Sequence, residues 1–210
     1  MPSRRATIAL LAAAAASPAL GQGADRPNPM PAELREALER DRNAVVLGNP
    51  DGNVTLTEFF DYNCPFCKKL VPAMQRLIGS DPQLRVVFRE WPVFGEGSAF
   101  AARAALASLD QGKYWQVHAG LMAMKDRAAE PSVMRVVRRL GLDEAKLREA
   151  MQSDPVEDHI ARSFMLADHM SLIGTPTLIA GDEALFGDQS FEDLTALVAR
   201  ARKTLGVAAG

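Results

Sequence analysis

The run VTLTEFFDYNCPFCKK, Val54 to Lys69, joins an alternating strand pattern to a helical one, and the chain's only two cysteines, Cys64 and Cys67, sit at the joint. In the strand half, Val54, Leu56, Glu58 and Phe60 point to one face and Thr55, Thr57, Phe59 and Asp61 to the other. In the helical half, a helix starting at or just after Cys64 leaves its first backbone N–H groups without intrahelical partners. A thiolate on that turn gains their hydrogen bonds and a favourable dipole, so its pKa falls. The thiolate is the nucleophile of thiol–disulfide exchange. Cys67, one turn further in, is placed to attack a mixed disulfide at Cys64 and release the partner chain. Glu58 lies among apolar side chains; a desolvated acid there has a raised pKa and can trade a proton with the cysteine pair. The alternative is an acid that escapes to solvent past a strand edge.

Other uses of two cysteines fit less well. A structural disulfide closing so short a loop removes little unfolded-state entropy. Zinc needs about two further ligands, and His118, His159 and His169 form no paired spacing. Met122, Met124, Met165 and Met170 suggest copper, but at helical spacing among leucines they read as packing. No metal and no cofactor are expected.

Composition is that of a soluble globular domain, 48% hydrophobic and 24% charged over 210 residues. Residues 1–23 read as a removable secretory signal, with Arg4 and Arg5 ahead of an apolar stretch from Ala6 to Ala16 and small residues from Ala19 to Gly23. Ser3-Arg4-Arg5 makes a twin-arginine route an option. Loss of Arg4 and Arg5 takes the 24 basic residues to 22 against 26 acidic ones, and no basic and aromatic interleaving invites nucleic acid. The apolar stretch is too short to span a bilayer. The expected location is the periplasm, where disulfides persist.

Outward from the cysteines, residues 24–43 read as a proline-rich linker and a short helix, Ala32 to Arg42, whose Leu34 and Leu38 stripe packs on the domain or on a second copy. A strand at Val45 to Leu47 and a dense turn, Gly48 to Asn53, precede the opening strand. Pro72 predicts a kink in the helix that follows Cys64. A second strand runs from Leu84 to Trp91. Five helical stretches follow: Ser98 to Leu109, Tyr114 to Met124, Ser132 to Leu140, Asp143 to Gln152 and Pro155 to Met170. A hairpin, Leu178 to Ala180 and Ala184 to Phe186, and a last helix, Phe191 to Arg202, close the chain. The expected fold is α/β, a mixed sheet with helices on both faces and an all-helical insertion at about 97–171 within a domain spanning 44–205.

Glu58 to Lys69, Gly112-Lys113-Tyr114-Trp115 and Gly174-Thr175-Pro176-Thr177 together resemble the DsbA-like branch of the thioredoxin superfamily, exported bacterial thiol–disulfide oxidoreductases. Leu47 to Gly52 and Asp61 to Cys64 look most like its suppressor-of-copper-sensitivity C and Com1-type members. The resemblance implies a thioredoxin-like fold, Cys64 as the exposed nucleophile, Cys67 as the buried resolving cysteine, Glu58 as the buried acid and Pro72 as the helix-kinking proline. It also implies Pro176 as a cis-proline facing the cysteines, with Thr175 before it bonding an extended substrate beside Pro65 and Phe66. Phe66 brings no positive charge where the strong oxidase of the family has histidine, so a less depressed Cys64 pKa is expected than in that relative.

These readings lead to an exported enzyme that exchanges a Cys64–Cys67 disulfide with cysteines of extracytoplasmic proteins, as an oxidase reset by a membrane thiol oxidase or reductase. The alternatives are a disulfide isomerase or reductase of the copper-sensitivity type, a periplasmic metal-binding module, and a redox-inert scaffold.

Overall fold

The computed structural model describes residues 29–208. The expected signal, residues 1–23, and the first part of the linker lie outside the described residues. Five strands form one mixed sheet, in the order β1-β3-β2-β4-β5. They are β1 (Val45–Gly48), β2 (Val54–Phe60), β3 (Leu84–Glu90), β4 (Thr177–Ala180) and β5 (Glu183–Phe186). β2 and β3 are parallel, with Glu58 opposite Phe88 and Phe60 opposite Glu90, while β1, β4 and β5 join as antiparallel neighbours. A parallel pair needs a crossover, and helix α2 (Pro65–Ser80) supplies it, burying Cys67, Leu70, Met74 and Leu77 on the face turned to the sheet. Pro72 lies inside α2, which continues past it.

Every residue of β2 and β3 is buried, because helices cover both faces of the sheet. Val54, Leu56, Phe60, Leu84, Val86 and Phe88 share the larger core with α2 and α8 (Phe191–Leu205). The helical block between β3 and β4 joins the same core. It comprises α3 (Glu96–Ala107), a 3-10 turn at Ser108–Gln111, α4 (Tyr114–Met122), α5 (Glu130–Arg139), α6 (Glu144–Ala150) and α7 (Asp154–His169). Phe59 and Ile179, on the opposite face, pack with Trp91, with Leu166 and Ala167 of α7, and with Leu38 of α1 (Ala32–Glu39).

Most element ends follow from local chemistry. The Asp143 carboxylate accepts from the N–H groups of Ala145 and Lys146 and starts α6, the cap its sequence position predicts. Ser190 and Asp193 bond each other's backbone N–H in a capping box that starts α8. Gly206, at φ 68°, ends α8 three residues beyond the expected stop at Arg202.

The first helix differs from expectation at its other end: it stops at Glu39, not Arg42. The Asp41 carboxylate caps a turn through the Asn43 N–H and takes ion pairs from Arg89 at 2.8 Å and Arg162 at 3.0 Å. Arg89, wholly buried on β3, also donates to the carbonyls of Ala37 and Leu38. These bonds pull the chain out of the helix and seat α1 on its own sheet, which decides where the Leu38 side of the stripe packs.

Candidate active site

Cys64 is the N-cap of α2, in extended backbone, with Pro65 opening the helix behind it. Proline is at home there because that N–H has no helical partner in any case. The Cys64 thiol donates to the Thr175 carbonyl at 3.2 Å, and the Thr175–Pro176 peptide is cis. The loop before β4 therefore lies directly over the first turn of α2.

Several groups favour a negative sulfur at Cys64. Its hydrogen bond with the Cys67 thiol is the largest influence. Burial opposes it, and bonds from the Thr175 hydroxyl and from the backbone N–H groups of Cys67 and Phe66 add to it, so the pKa falls from 9.0 to about 6. The Thr175 hydroxyl is buried and, among the described residues, has no hydrogen-bond partner while Cys64 is the thiol that bonds the carbonyl, so its proton is left for the charged sulfur. Cys67 is the reverse case: burial first, then its bond to Cys64 and the charges of Glu58 and Cys64, push its thiol far above the ordinary range. At neutral pH the reduced pair is one thiolate beside one thiol.

One expectation needs correction. Cys64 is expected as the exposed thiol, yet the residue is only 1% exposed and Cys67 is 0%. Both are free cysteines. Cys64 is covered because the Thr175 carbonyl closes over its sulfur. Pro65 and Phe66 are exposed around it, and the Lys69 ammonium lies 5.4 Å from the Phe66 ring centre. Ile173 is 81% exposed. Phe186 is half exposed and packs so near Gly174 that a Cβ there would meet its ring at 3.2 Å. An apolar rim thus borders the sulfur.

Glu58 is 3% exposed, on the β2 face that strand alternation predicts. Burial, then the Cys64 charge, then the Glu90 charge raise its pKa from 4.5 to about 8. The structure thus brings Cys64, Cys67, Thr175 and Pro176 together, with Glu58 behind them and Pro65 and Phe66 in front.

Two polar clusters near the cysteines escaped the sequence reading. In the first, Asp61 accepts from the N–H groups of Asn63 and Phe94 and from the Ser98 hydroxyl. The Asn63 side chain bonds Ser98 and both polar backbone groups of Ala128, tying the helical block to the start of α2. In the second, Tyr114 donates to Glu90 at 2.6 Å, and the Tyr62 hydroxyl lies 3.3 Å from His118. His159 Nε2 stands 2.7 Å from Glu90, and its Nδ1 lies 2.8 Å from the Asn43 carbonyl. The alternation that picks out Glu58 finds Glu90 as well, on one face with Leu84, Val86 and Phe88. No local pattern marks His159, which reads as one more position on the buried side of α7. Among the described residues no group of three His, Cys, Asp or Glu side chains is arranged to hold a metal ion.

The model of the DSBA-like thioredoxin domain family matches residues 55–199. A thioredoxin-like oxidoreductase from Silicibacter pomeroyi superposes with a TM-score of 0.78 at 47% identity, over 80% of this chain and 98% of that one. The thiol-disulfide exchange protein alpha-DsbA2 from Wolbachia pipientis does so with a TM-score of 0.74 at 28% identity, over 80% of this chain and 91% of that one. The catalytic domain of Proteus mirabilis ScsC, at 24% identity and TM-score 0.72 over 81% of this chain and 95% of that one, shares the fold. Among curated sequences, the Na(+)/H(+) antiporter NhaA 3 of Salinispora tropica is 31% identical over 168 residues, 79% of this chain. The chain spans 26% of the length of that relative.

Proposed function

Because this chain belongs to the family of DSBA-like thioredoxin domains, we propose that it is a thiol:disulfide oxidoreductase that oxidises cysteines of extracytoplasmic proteins with no bound cofactor. The observation that carries the reading is the placement of the pair: Cys64 caps α2 against the Thr175 carbonyl before cis-Pro176, with Cys67 buried one turn on, an arrangement that lowers the first thiol and raises the second.

A client thiolate attacks Cys64 Sγ of the Cys64–Cys67 disulfide, the S–S bond breaks, and its electron pair leaves on Cys67. A thiolate at Cys67 is costly in so buried a place, and the protonated Glu58 carboxyl is the donor that neutralises it. A second client thiolate attacks the client sulfur of the mixed disulfide, and Cys64 leaves as the stable thiolate. The client has lost two electrons and the cysteine pair has gained them. A membrane thiol oxidase returns the pair to the disulfide.

The client takes the place of Cys64 at the Thr175 backbone, pairing an extended segment with the loop ahead of β4, while Phe66, Ile173 and Phe186 offer apolar contact to the residues flanking its cysteine. Oxidation is favoured over isomerisation because α1 spends its apolar side and its ion pairs on its own sheet, not on a second copy. For the extracytoplasmic location, the support is the leader-like start of the sequence and the likeness, at 27% identity, to a protein from Salmonella enterica described as periplasmic. Among the described residues no helix is long and apolar enough to cross a membrane.

Insulin reduction by dithiothreitol tests the chemistry. The wild type accelerates it, Cys64→Ser abolishes the acceleration, and Cys67→Ser accumulates mixed disulfides as Cys64 attacks the insulin disulfides and nothing resolves them; activity retained by Cys64→Ser overturns the assignment. Equilibration with glutathione, scored beside reactivation of scrambled ribonuclease, decides the direction. Efficient unscrambling replaces oxidase by isomerase.

A further inference from the structure

Glu58 and Glu90 occupy one face of the sheet. In the parallel register Glu58 stands opposite Phe88 and Phe60 opposite Glu90, so the two acids are diagonal neighbours, about 7–8 Å apart at the backbone. Both are buried, at 3% and 1% exposure. Two buried carboxyls this close avoid carrying charge together unless something selects which one keeps it.

The bonding makes that selection. Tyr114 donates to one Glu90 oxygen at 2.6 Å and His159 stands 2.7 Å from the other. The Glu90 N–H donates to the same His159 nitrogen at 3.3 Å, so the contact of that nitrogen with the carboxylate is one of close approach. The other ring nitrogen lies 2.8 Å from the Asn43 carbonyl, which fixes the ring in place. Burial opposes charge on Glu90, yet the His159 charge and the bonds from His159 and Tyr114 outweigh it and hold the carboxyl below its usual range.

Among the described residues no hydrogen bond of this kind reaches Glu58, which faces the cysteines of α2. Asn43 lies two residues before β1, and the strand order places β1 and β2 on opposite sides of β3. His159 therefore approaches Glu90 from the side away from Glu58.

Among the described residues no other charged side chain bonds the Glu90 carboxylate. His118 of α4 is driven down to about 4 by burial, partly offset by Glu90, and is neutral at pH 7. Burial and the Glu90 charge raise the hydroxyls of Tyr62 and Tyr114, which stay neutral too. Asp61 is engaged with Asn63, Phe94 and Ser98, and Arg89 points to the opposite face, engaged with Asp41 and α1.

We propose that Glu90, clamped by His159 and Tyr114, is a positioning residue: its fixed negative charge keeps Glu58 protonated and so ready to hand a proton to Cys67 when the disulfide opens. This rests on the exchange reading given above. The charge is built into the sheet, so Glu58 is held protonated even when Cys64 is tied up in a disulfide and carries no charge of its own.

Reduced protein treated with an aromatic disulfide such as dithionitrobenzoate releases one chromophore when Cys64 attacks and a second when Cys67 resolves the mixed disulfide. The first release normalises each variant. The pH midpoint of the second reports Glu58, and Glu58→Gln should erase that titration. Glu90→Gln should move the midpoint down by roughly one to one and a half pH units, and Tyr62→Phe, which removes a neighbouring hydroxyl but keeps Glu90 and both of its contacts, should leave it near wild type. An unmoved midpoint in Glu90→Gln, or an equal shift in Tyr62→Phe, overturns the proposal.

Should Glu90→Gln not fold, carboxyl-carbon NMR of the wild type decides: Glu90 must stay ionised from about pH 5 to pH 9 while Glu58 titrates in the upper half of that range. Protonation of Glu90 within the range overturns it. Inert Cys64 with these NMR midpoints intact would remove the exchange reading and leave the carboxyl pair standing.

Discussion

Replacing Glu58 by glutamine should make the reduced protein relatively more stable as pH rises, and the size of the effect follows from the site. In the folded protein the Glu58 pKa is raised to about 8 from the ordinary 4.5. Below 4.5 the carboxyl is neutral in both folded and unfolded chains and costs nothing. Between the two values the unfolded chain releases a proton that the folded one retains, so stability is lost with each pH step until the folded carboxyl ionises too. Integrated from about pH 5 to about pH 8, the loss is about 3 kcal/mol. Glutamine pays a pH-independent cost for burying its amide, so the quantity to read is the change of the variant-minus-wild-type difference with pH. Urea denaturation with excess reductant at both pH values measures it, and the Cys64 titration, present in both proteins, cancels to first order. The variant should gain about 3 kcal/mol on the wild type across that interval. Parallel curves, with a change below about 1 kcal/mol, would refute the buried and raised carboxyl on which the proton-donor role depends.

Three other perturbations probe separate parts of the molecule. Thr175→Val removes the hydroxyl that faces the Cys64 sulfur, so the thiolate midpoint, near 6 in the wild type, should rise by about one pH unit; ultraviolet thiolate absorbance against pH measures it, and an unchanged midpoint contradicts the assigned bond. Gly97→Ala places a Cβ against the Ala128 carbonyl. It should cost about 1–3 kcal/mol in urea denaturation although alanine is the better helix former, and equal stability would mean that the Ala128 backbone does not press on α3. Arg89→Leu removes the buried partner of the Asp41 carboxylate, leaving it Arg162 and the Asn43 N–H, and strands two carbonyls of α1. A loss of about 3–5 kcal/mol is expected, and a loss below about 1 kcal/mol would show that α1 is not held by this ion pair.

The strand alternation from Val54 to Phe60 and the proline-opened helix after Cys64 are local patterns, and they were legible because each depends on residues a few positions apart. They placed the two cysteines at a helix start and Glu58 on an apolar face, and the spacing of turn residues marked out the helical block and the closing hairpin. Element ends were harder. Whether α1 stops at Glu39 or Arg42 depends on Arg89, some fifty positions away, drawing on Asp41. The same limit hid the cover over Cys64, since a carbonyl from residue 175 bonding a sulfur at residue 64 has no signature in either stretch.

By itself the sequence determined the fold class, the place of the two cysteines at a helix start and the buried side of the sheet on which Glu58 sits, because hydrophobic period and helix-start chemistry act at short range. Tertiary structure alone decided what those groups experience. Burial on both faces of the sheet removes water from Glu58 and Cys67, the Thr175 loop closes over Cys64, and Glu90 is brought beside Glu58 with His159 behind it. Charges and hydrogen bonds act through space, and in a medium of low polarity a neighbour two strands or a hundred residues away shifts a proton as strongly as one next along the chain.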